Sequence, residues 1–324
     1  MRIAITGAAG MVGRKLTERL IGDGTLNGAP IESLHLQDIL PFEQPRASFA
    51  VTTETSDLAD HGVAEGLAAR NADLVFHLAG VVSGEAEANF DKGYRANLDG
   101  TRLLFDAIRL REGYVPRVVY SSSIAVFGAP FPPAISDDFQ PVPLTSYGVQ
   151  KLIGELILTD YTRRGFMDGL ALRLPTICVR PGKPNLAASG FFSSIIREPL
   201  AGRQAVLPVS RDLVHTHASP RSAVGFLLHA AGLSSEEIGP RRAITLPGVA
   251  VSVGEQIEAL RRVAGDTAVA LIREEPDPAI ASIVNFWPQR FEATRARDLG
   301  FTAETAFDDI IRIHVEDELG GRLQ

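Results

Sequence analysis

A single cysteine, Cys178, is all that a chain of 324 residues carries. No disulfide framework and no cysteine-based metal site can form within one chain. Its setting in the apolar run LPTICVRP makes it a small buried hydrophobe. The seven histidines form no spaced ligand cluster and no acidic metal motif accompanies them, so no metal is expected. The opening MRIAITGAAG has no long apolar segment followed by a small-residue cleavage site, and no apolar stretch reaches membrane-spanning length. A cytoplasmic location is the expectation. A net charge of −7 argues against nucleic acid or an anionic membrane as the main partner, although a local basic pocket can still hold a small anion. There is no internal repeat and no low-complexity tract. What is present is ordinary globular composition, 45% hydrophobic and 22% charged, in a chain long enough for a sizeable core and a second lobe.

The first half alternates short apolar strands with helical spacing. RIAIT reads as a strand, followed by a helix from about Met11 to Leu20. IESLHLQD is a second strand ending at Asp38, VAEGLAARN a helix, and ADLVFHLAG a strand ending near Gly80. NLDGTRLLFDAIRL is helical, PRVVYSSSIAVFG begins as a strand, and SYGVQKLIGELILTDYTRR is a long amphipathic helix. DGLALRLPTICVRPG begins as another strand. Such alternation predicts an α/β fold of the Rossmann type, a doubly wound parallel sheet with right-handed crossovers. Beyond Pro175 the rhythm breaks. HASPRSAVGFLLHAAG reads as a helix, RRAITLPG as one more strand, and VSVGEQIEALRRVAG as a helix with Ser252 as its candidate N-cap. The expected organisation is a nucleotide-binding domain over 1–174 with returns at about 213–248, and a smaller C-terminal substrate-binding lobe over 175–212 and 249–324.

TGAAGMVG places Gly7, Gly10 and Gly13 between the first strand and the first helix. The first glycine permits the tight turn, the second lets backbone approach a pyrophosphate, and the third lets the helix pack against the sheet. The helix N-terminus, with Met11 and Val12 in its first turn, favours phosphate charge. Asp38 closes the next strand, where a carboxylate bonds the hydroxyls of an adenosine ribose and repels a 2′-phosphate. NAD is therefore expected over NADP, with Arg46 as a complication nearby. Asp57 and Leu58 follow a further strand and are either contacts to an adenine edge or, for Asp57, a helix cap.

Tyr147 and Lys151 in SYGVQK lie four residues apart, hence on one helix face. The ordered set TGAAGMVG, HLAG, NLDGT, SSSIAVFG and SYGVQK resembles the extended short-chain dehydrogenase/reductase family, which includes nucleotide-sugar epimerases and dehydratases. The resemblance covers residues 1 to 180 and continues more loosely through RDLVHTHASPRSAVGFLLHA. It implies that Ser123, Tyr147 and Lys151 are catalytic and that NAD is the cofactor. Lys151 then lowers the tyrosine pKa and holds the nicotinamide ribose. Ser123 orients the substrate oxygen, and Tyr147 exchanges the proton as hydride passes to or from the nicotinamide. Ser122 is a neighbouring candidate on the cofactor side. Asn97 resembles the family's active-site buttress and is expected to cap or pin a helix beginning around Leu98. By the same resemblance Leu78, Ala79 and Gly80 leave room for the cofactor, and Leu174 and Thr176 line the nicotinamide.

The family spans several reactions, so the substrate must be read from departures. Pro175 and Thr176 stand where a nucleotide-sugar enzyme commonly has an asparagine, and Ile124 and Ala125 offer no acid beside the serine, which makes dehydratase chemistry doubtful. GVVSGEAEANFDKGYRANLDG, RPGKPN, GFFSSIIREPL, LPVSRDLVHTHASPRSA and NFWPQRF resemble a narrower branch, the D-erythronate dehydrogenases. That resemblance implies NAD-dependent oxidation of the C2 hydroxyl of a four-carbon aldonate, D-erythronate, to 2-oxo-tetronate. Arg180 and Arg211 are candidates for the substrate carboxylate, and Ser83 for a hydroxyl or carboxylate. His215 and Trp287 are weaker candidates for closing a small pocket. Each has a plainer alternative: Arg180 on backbone, Arg211 paired with Asp212, Ser83 in a local loop bond, Trp287 in lobe packing. A nucleotide-sugar 4-epimerase with retained NAD and a non-catalytic dinucleotide-sensing protein stand as rival readings. A homodimer is implied by the resemblance, and KLIGELIL suits either its interface or packing on the sheet.

Overall fold

The computed structural model describes residues 1–182, 189–284 and 286–323. RIAIT forms β1 (Arg2–Thr6), buried beyond its first residue, as a strand covered on both faces must be. The further strands of its sheet are β2 (Ser33–Asp38), β3 (Ala50–Thr55), β4 (Leu74–His77), β5 (Arg117–Ser123), β6 (Asp168–Leu174) and β7 (Ala243–Thr245). They lie in the order β7-β6-β5-β4-β1-β2-β3. The pairings from β5 through β4, β1 and β2 to β3 are parallel. The chain winds from β1 outward to β3, then resumes at β4 on the other side of β1. The carboxyl ends of β1 and β4 therefore form the topological switch point, where open α/β sheets bind ligands.

The helices of this sheet include α1 (Met11–Asp23), α2 (Val63–Ala69), α3 (Gly100–Leu110) and α4 (Ser146–Arg163). Leu104, Phe105 and Ile108 of α3 and Leu158 of α4 share a buried cluster with Val75, Val118, Tyr120 and Ala171 of the strands. Helix α4 comes close to β5 because Gly154 has no side chain. A Cβ there would lie 2.6 Å from the Tyr120 hydroxyl and 2.9 Å from its ring carbon. The helical run before α3 starts at Phe90 and passes through a π-helical turn over Tyr94–Asp99. Asn97 thus sits inside a helical run and does not cap one beginning near Leu98. The strand in ADLVFHLAG stops regular pairing at His77, three residues before Gly80.

The chain divides into two compact units, the first holding 1–126, 145–173 and 224–244, the second 127–144, 174–223 and 245–324. Residues 127–144 lie within the span read as one domain from sequence, yet pack in the second unit. Ile135 exchanges backbone bonds with Arg290 and Glu292, and Asp137 accepts from the Arg295 N–H at 2.8 Å. The return to the first unit occurs inside the helix Pro220–Gly232, at Val224. The second unit has a three-stranded sheet ordered Val249–Ser252, Val214–Ala218, Thr176–Ile177. Its core gathers Phe192, Ile195, Leu207, Ile257, Leu260 and Ile310. Ser252 does cap the helix Val253–Val269. Its hydroxyl accepts from the Glu255 N–H, and the Glu255 carboxylate accepts from the Ser252 N–H, a reciprocal capping box. Among the described residues no helix is long and apolar enough to cross a membrane.

Three fully buried histidines tie both units to pH. His77 spans Thr6 Oγ1 at 2.7 Å and Thr101 Oγ1 at 2.9 Å, and burial, aided by the nearby Lys151 charge, pushes its pKa down to about 3. Burial pushes His215 down to about 4 and His217 well below the ordinary 6.5. Since the folded values lie below the unfolded one, the unfolded chain takes up protons that the fold refuses. Stability is full above pH 6.5 and falls as pH drops through 6.5 toward 4, each histidine costing about 1.4 kcal/mol per unit. Thermal melting across pH 7.5 to 4.5 checks this, and a flat profile contradicts it. Gly154→Ala drives a methyl into Tyr120 and is expected to cost about 1–3 kcal/mol in urea denaturation.

Candidate active site

The glycine turn has the form its spacing requires. Gly7 adopts φ +76°, and a Cβ there would lie 2.6 Å from the Ala79 nitrogen. At Gly13 a Cβ would lie 2.2 Å from the Gly7 carbonyl oxygen, so only glycine lets α1 approach the turn. Gly10 is the N-cap of α1, no side chain caps it, and its first turn carries no acidic residue. Met11 and Val12 open that turn half-buried. The N-terminal N–H groups and the helix dipole suit an anion. Asp38, 7% exposed at the end of β2, accepts from the Ala9 N–H at 2.8 Å and the Leu40 N–H at 2.9 Å. It pins the glycine turn while offering carboxylate oxygens beside it. These features fit a dinucleotide with unphosphorylated adenosine ribose.

Asp57 is neither a helix cap nor without a partner. It accepts from the Ala59 N–H at 2.9 Å and pairs with Arg95 at 3.0 Å, an exposed ion pair over a local turn, and α2 starts later, at Val63. Leu58 is buried and packs where Gly100 lies close.

After β4, Leu78 and Ala79 are half-buried and Gly80 exposed. A Cβ on Gly80 would lie 2.6 Å from Asn97 Oδ1 and 3.6 Å from Lys151 Nζ, so a side chain here would displace the Asn97 amide. Asn97 is fully buried. Its Oδ1 accepts from the Val81 N–H at 2.9 Å, and its Nδ2 donates to Gln150 Oε1 at 2.8 Å. It thus joins the segment after β4 to helix α4.

Thr145 starts α4 by accepting from the Gly148 N–H at 3.1 Å. One turn in, Tyr147 is half-buried and Lys151 is 3% exposed. Lys151 Nζ donates to the Ser121 carbonyl at 2.8 Å, and lies 4.8 Å from the Tyr120 ring centroid and 5.8 Å from that of Tyr147. Burial pulls its pKa down to about 8 against the opposing pull of Glu155. Ser123, half-buried at the end of β5, accepts from the Ala125 N–H at 3.1 Å. Helix α4 and the end of β5 thus bring Ser123, Tyr147 and Lys151 into one unit.

Ser122 is buried, and its hydroxyl donates to Glu155 Oε1 at 2.5 Å. Glu155 in turn receives Arg173 Nη2 at 2.7 Å and Nε at 3.0 Å. Neither Glu155 nor Arg173 stood out in the sequence, although Glu155 continues the four-residue spacing of Tyr147 and Lys151. Gln150, His77 and Thr101 were likewise passed over, since single polar residues in apolar runs carry no pattern.

In the second unit Leu174 and Thr176 are half-buried, and Thr176 Oγ1 lies 2.7 Å from His215 Nε2. His215 stacks on Phe192 at 5.2 Å and meets Trp287 at 5.5 Å, so both belong to an aromatic core. Arg180 is half-buried and donates to the Ile177 carbonyl at 3.0 Å and Ser189 Oγ at 2.9 Å. Arg211 is exposed, and its Nε and Nη2 both go to Glu274, at 2.9 and 2.7 Å. Its partner is a carboxylate 63 residues onward, where the sequence suggested Asp212. Ser83, in the first unit, opens the short helix Ser83–Ala88.

The model of the NAD dependent epimerase/dehydratase family matches residues 3–217. The D-erythronate dehydrogenase of Cupriavidus necator is 47% identical over 98% of each chain, and that of Haemophilus influenzae is 38% identical over 98% of this chain and 100% of its own. The crystal structure of the nucleoside-diphosphate-sugar epimerase from Agrobacterium tumefaciens is 61% identical, covers 100% of this chain and 96% of its own, and superposes with a TM-score of 0.98. The L-threonine dehydrogenase of Clostridium difficile, 20% identical with a TM-score of 0.86, shares the fold. With the glycine turn, the switch-point sheet and near-complete coverage in agreement, the chain belongs to the NAD dependent epimerase/dehydratase family.

Proposed function

We propose that the protein is an NAD-dependent dehydrogenase that oxidises the C2 hydroxyl of a short sugar acid, D-erythronate, to the 2-oxo acid. The observation that carries the reaction type is the buried Lys151 held on the Ser121 carbonyl, four residues from Tyr147 on one helix. The substrate class is supported by the relative from C. necator, similar over nearly its whole length.

In this reading Gly7, Gly10, Gly13 and the start of α1 bind the pyrophosphate, and Asp38 binds the adenosine ribose. Bound NAD supplies the acceptor for the C2 hydrogen as hydride. Ser123 orients the C2 hydroxyl, and Tyr147 takes its proton. Lys151 stabilises the negative tyrosine oxygen and binds the nicotinamide ribose. Leu174 and Thr176 line the nicotinamide. Asn97 holds the segment after β4, where Leu78, Ala79 and Gly80 leave room for the cofactor. Arg180 is assigned the substrate carboxylate in preference to Arg211, whose forked donors face Glu274. Ser83 is assigned a substrate hydroxyl. A cytoplasmic location belongs to the proposal, since turnover needs exchange with free dinucleotide.

A second reading, nucleotide-sugar epimerase with retained NAD, is favoured by the likeness to the 61% identical nucleoside-diphosphate-sugar epimerase of A. tumefaciens. A screen for NADH formation with four- and five-carbon aldonates beside UDP-sugars separates the two. Stoichiometric NADH with D-erythronate is expected. Interconversion of two UDP-sugars without net NADH would sink the dehydrogenase reading. Tyr147→Phe is expected to lower kcat by roughly 10²–10⁴-fold with NAD binding retained, and unchanged turnover would remove the tyrosine from the chemistry. A homodimer is also proposed, through the face of α4 that leaves Leu156 61% exposed. Sedimentation of the wild type and of Leu156→Glu tests it. A dimer that the substitution leaves intact argues against that face.

A further inference from the structure

Lys151 holds its charge where a charge is costly. It is 3% exposed, and around it stand the Ser121 carbonyl, the Tyr120 ring and the Tyr147 ring. His77, which feels its charge, is neutral and bonded on both nitrogens to Thr6 and Thr101. The carboxylate that acts on Lys151 is Glu155, one turn further along the same helix and itself 2% exposed.

Glu155 also carries mechanical connections. Its oxygens receive the Arg173 fork from β6 and the Ser122 hydroxyl from β5. Ser122 stands between Ser121, whose carbonyl holds Lys151, and Ser123. One carboxylate thus ties the helix of Tyr147 and Lys151 to the strand end that bears Ser123. A buried ion pair is a poor source of stability, since apolar groups of the same volume do as well. Its presence beside the lysine calls for another reason.

We propose that Glu155, paired with Arg173, is a positioning residue that keeps Lys151 charged and, through Ser122, fixes the strand end presenting Ser123. The proposal rests on Lys151 acting in its charged form, as in the reading above. The Arg173 guanidinium pairs with Glu155 in the core at 2.7 Å, and Glu155 offsets the cost of burying the ammonium.

The chain has four lysines, Lys15, Lys92, Lys151 and Lys183, so ¹³C-lysine NMR with Lys151→Met as the assignment control follows Lys151 directly in the free protein. The wild-type midpoint is expected near 8. Glu155→Gln lowers it by roughly one unit and moves the pH profile of kcat/KM for NADH formation the same way. The double variant Glu155→Gln/Arg173→Met orphans no charge, so its midpoint lies above that of the single variant and below the wild type's. Ser122→Ala keeps both charges and leaves the midpoint in place, while kcat falls as Ser123 loses its support. A wild-type midpoint in Glu155→Gln, or in the double variant if the single one does not fold, overturns the proposal. So does an equal shift in Ser122→Ala, which would mark general loosening. The titration uses no substrate. Failure of the wild type to form NADH from any aldonate would therefore count against the substrate reading and leave this result standing.

Discussion

In the proposed reading, everything around helix α4 depends on keeping one ammonium charged in a dry place. Taken out of water, Lys151 tends to lose its proton, and its pKa falls to about 8. The protein answers with a carbonyl at 2.8 Å, two aromatic rings and a carboxylate one turn away. Those partners need fixed geometry, and several features of the first unit supply it. Gly154 lets α4 reach Tyr120, Gly80 leaves room for Asn97, and Asn97 bridges the segment after β4 to Gln150 on α4.

The winding of the sheet then decides where this helix can act. Strands β1 and β4 separate at the switch point, and the glycine turn and the segment after β4 leave from there. Asp38 closes β2 and returns to bind the turn through the Ala9 N–H. Its carboxylate therefore has a structural duty as well as the proposed cofactor duty. The contrast with Arg211 is instructive. Both are charged and both looked functional, but Arg211 is exposed and matched by Glu274, an ordinary surface pair.

The first unit was legible because its signals are local. A glycine triplet between a strand and a helix, and a tyrosine four residues before a lysine, keep their meaning at any position in a sheet. Ser252 was readable for the same reason, since a cap involves residues three apart. What escaped was set by distant partners. The strand Val214–Ala218 reads VHTHA, and its histidines look polar but are buried among Phe192, Trp287 and Phe307. Residues 127–144 join the second unit through bonds to residues some 150 positions away, which no local pattern announces. The Glu155–Arg173 pair joins a helix to a strand, and Asn97 lies in a π-helical turn where sequence suggested a helix start.

The account comes down to which bond breaks at the substrate. In the proposed reaction hydride leaves C2 while the C2 hydroxyl gives its proton to Tyr147, so the label on C2 and the label on oxygen must part company. The most direct measurement follows deuterium from C2-deuterated D-erythronate under saturating NAD. The account predicts one deuterium delivered to each NADH formed, none released to water, and unlabelled 2-oxo acid as product. Deuterium retained in the product acid, or no transfer to the dinucleotide at all, would contradict it.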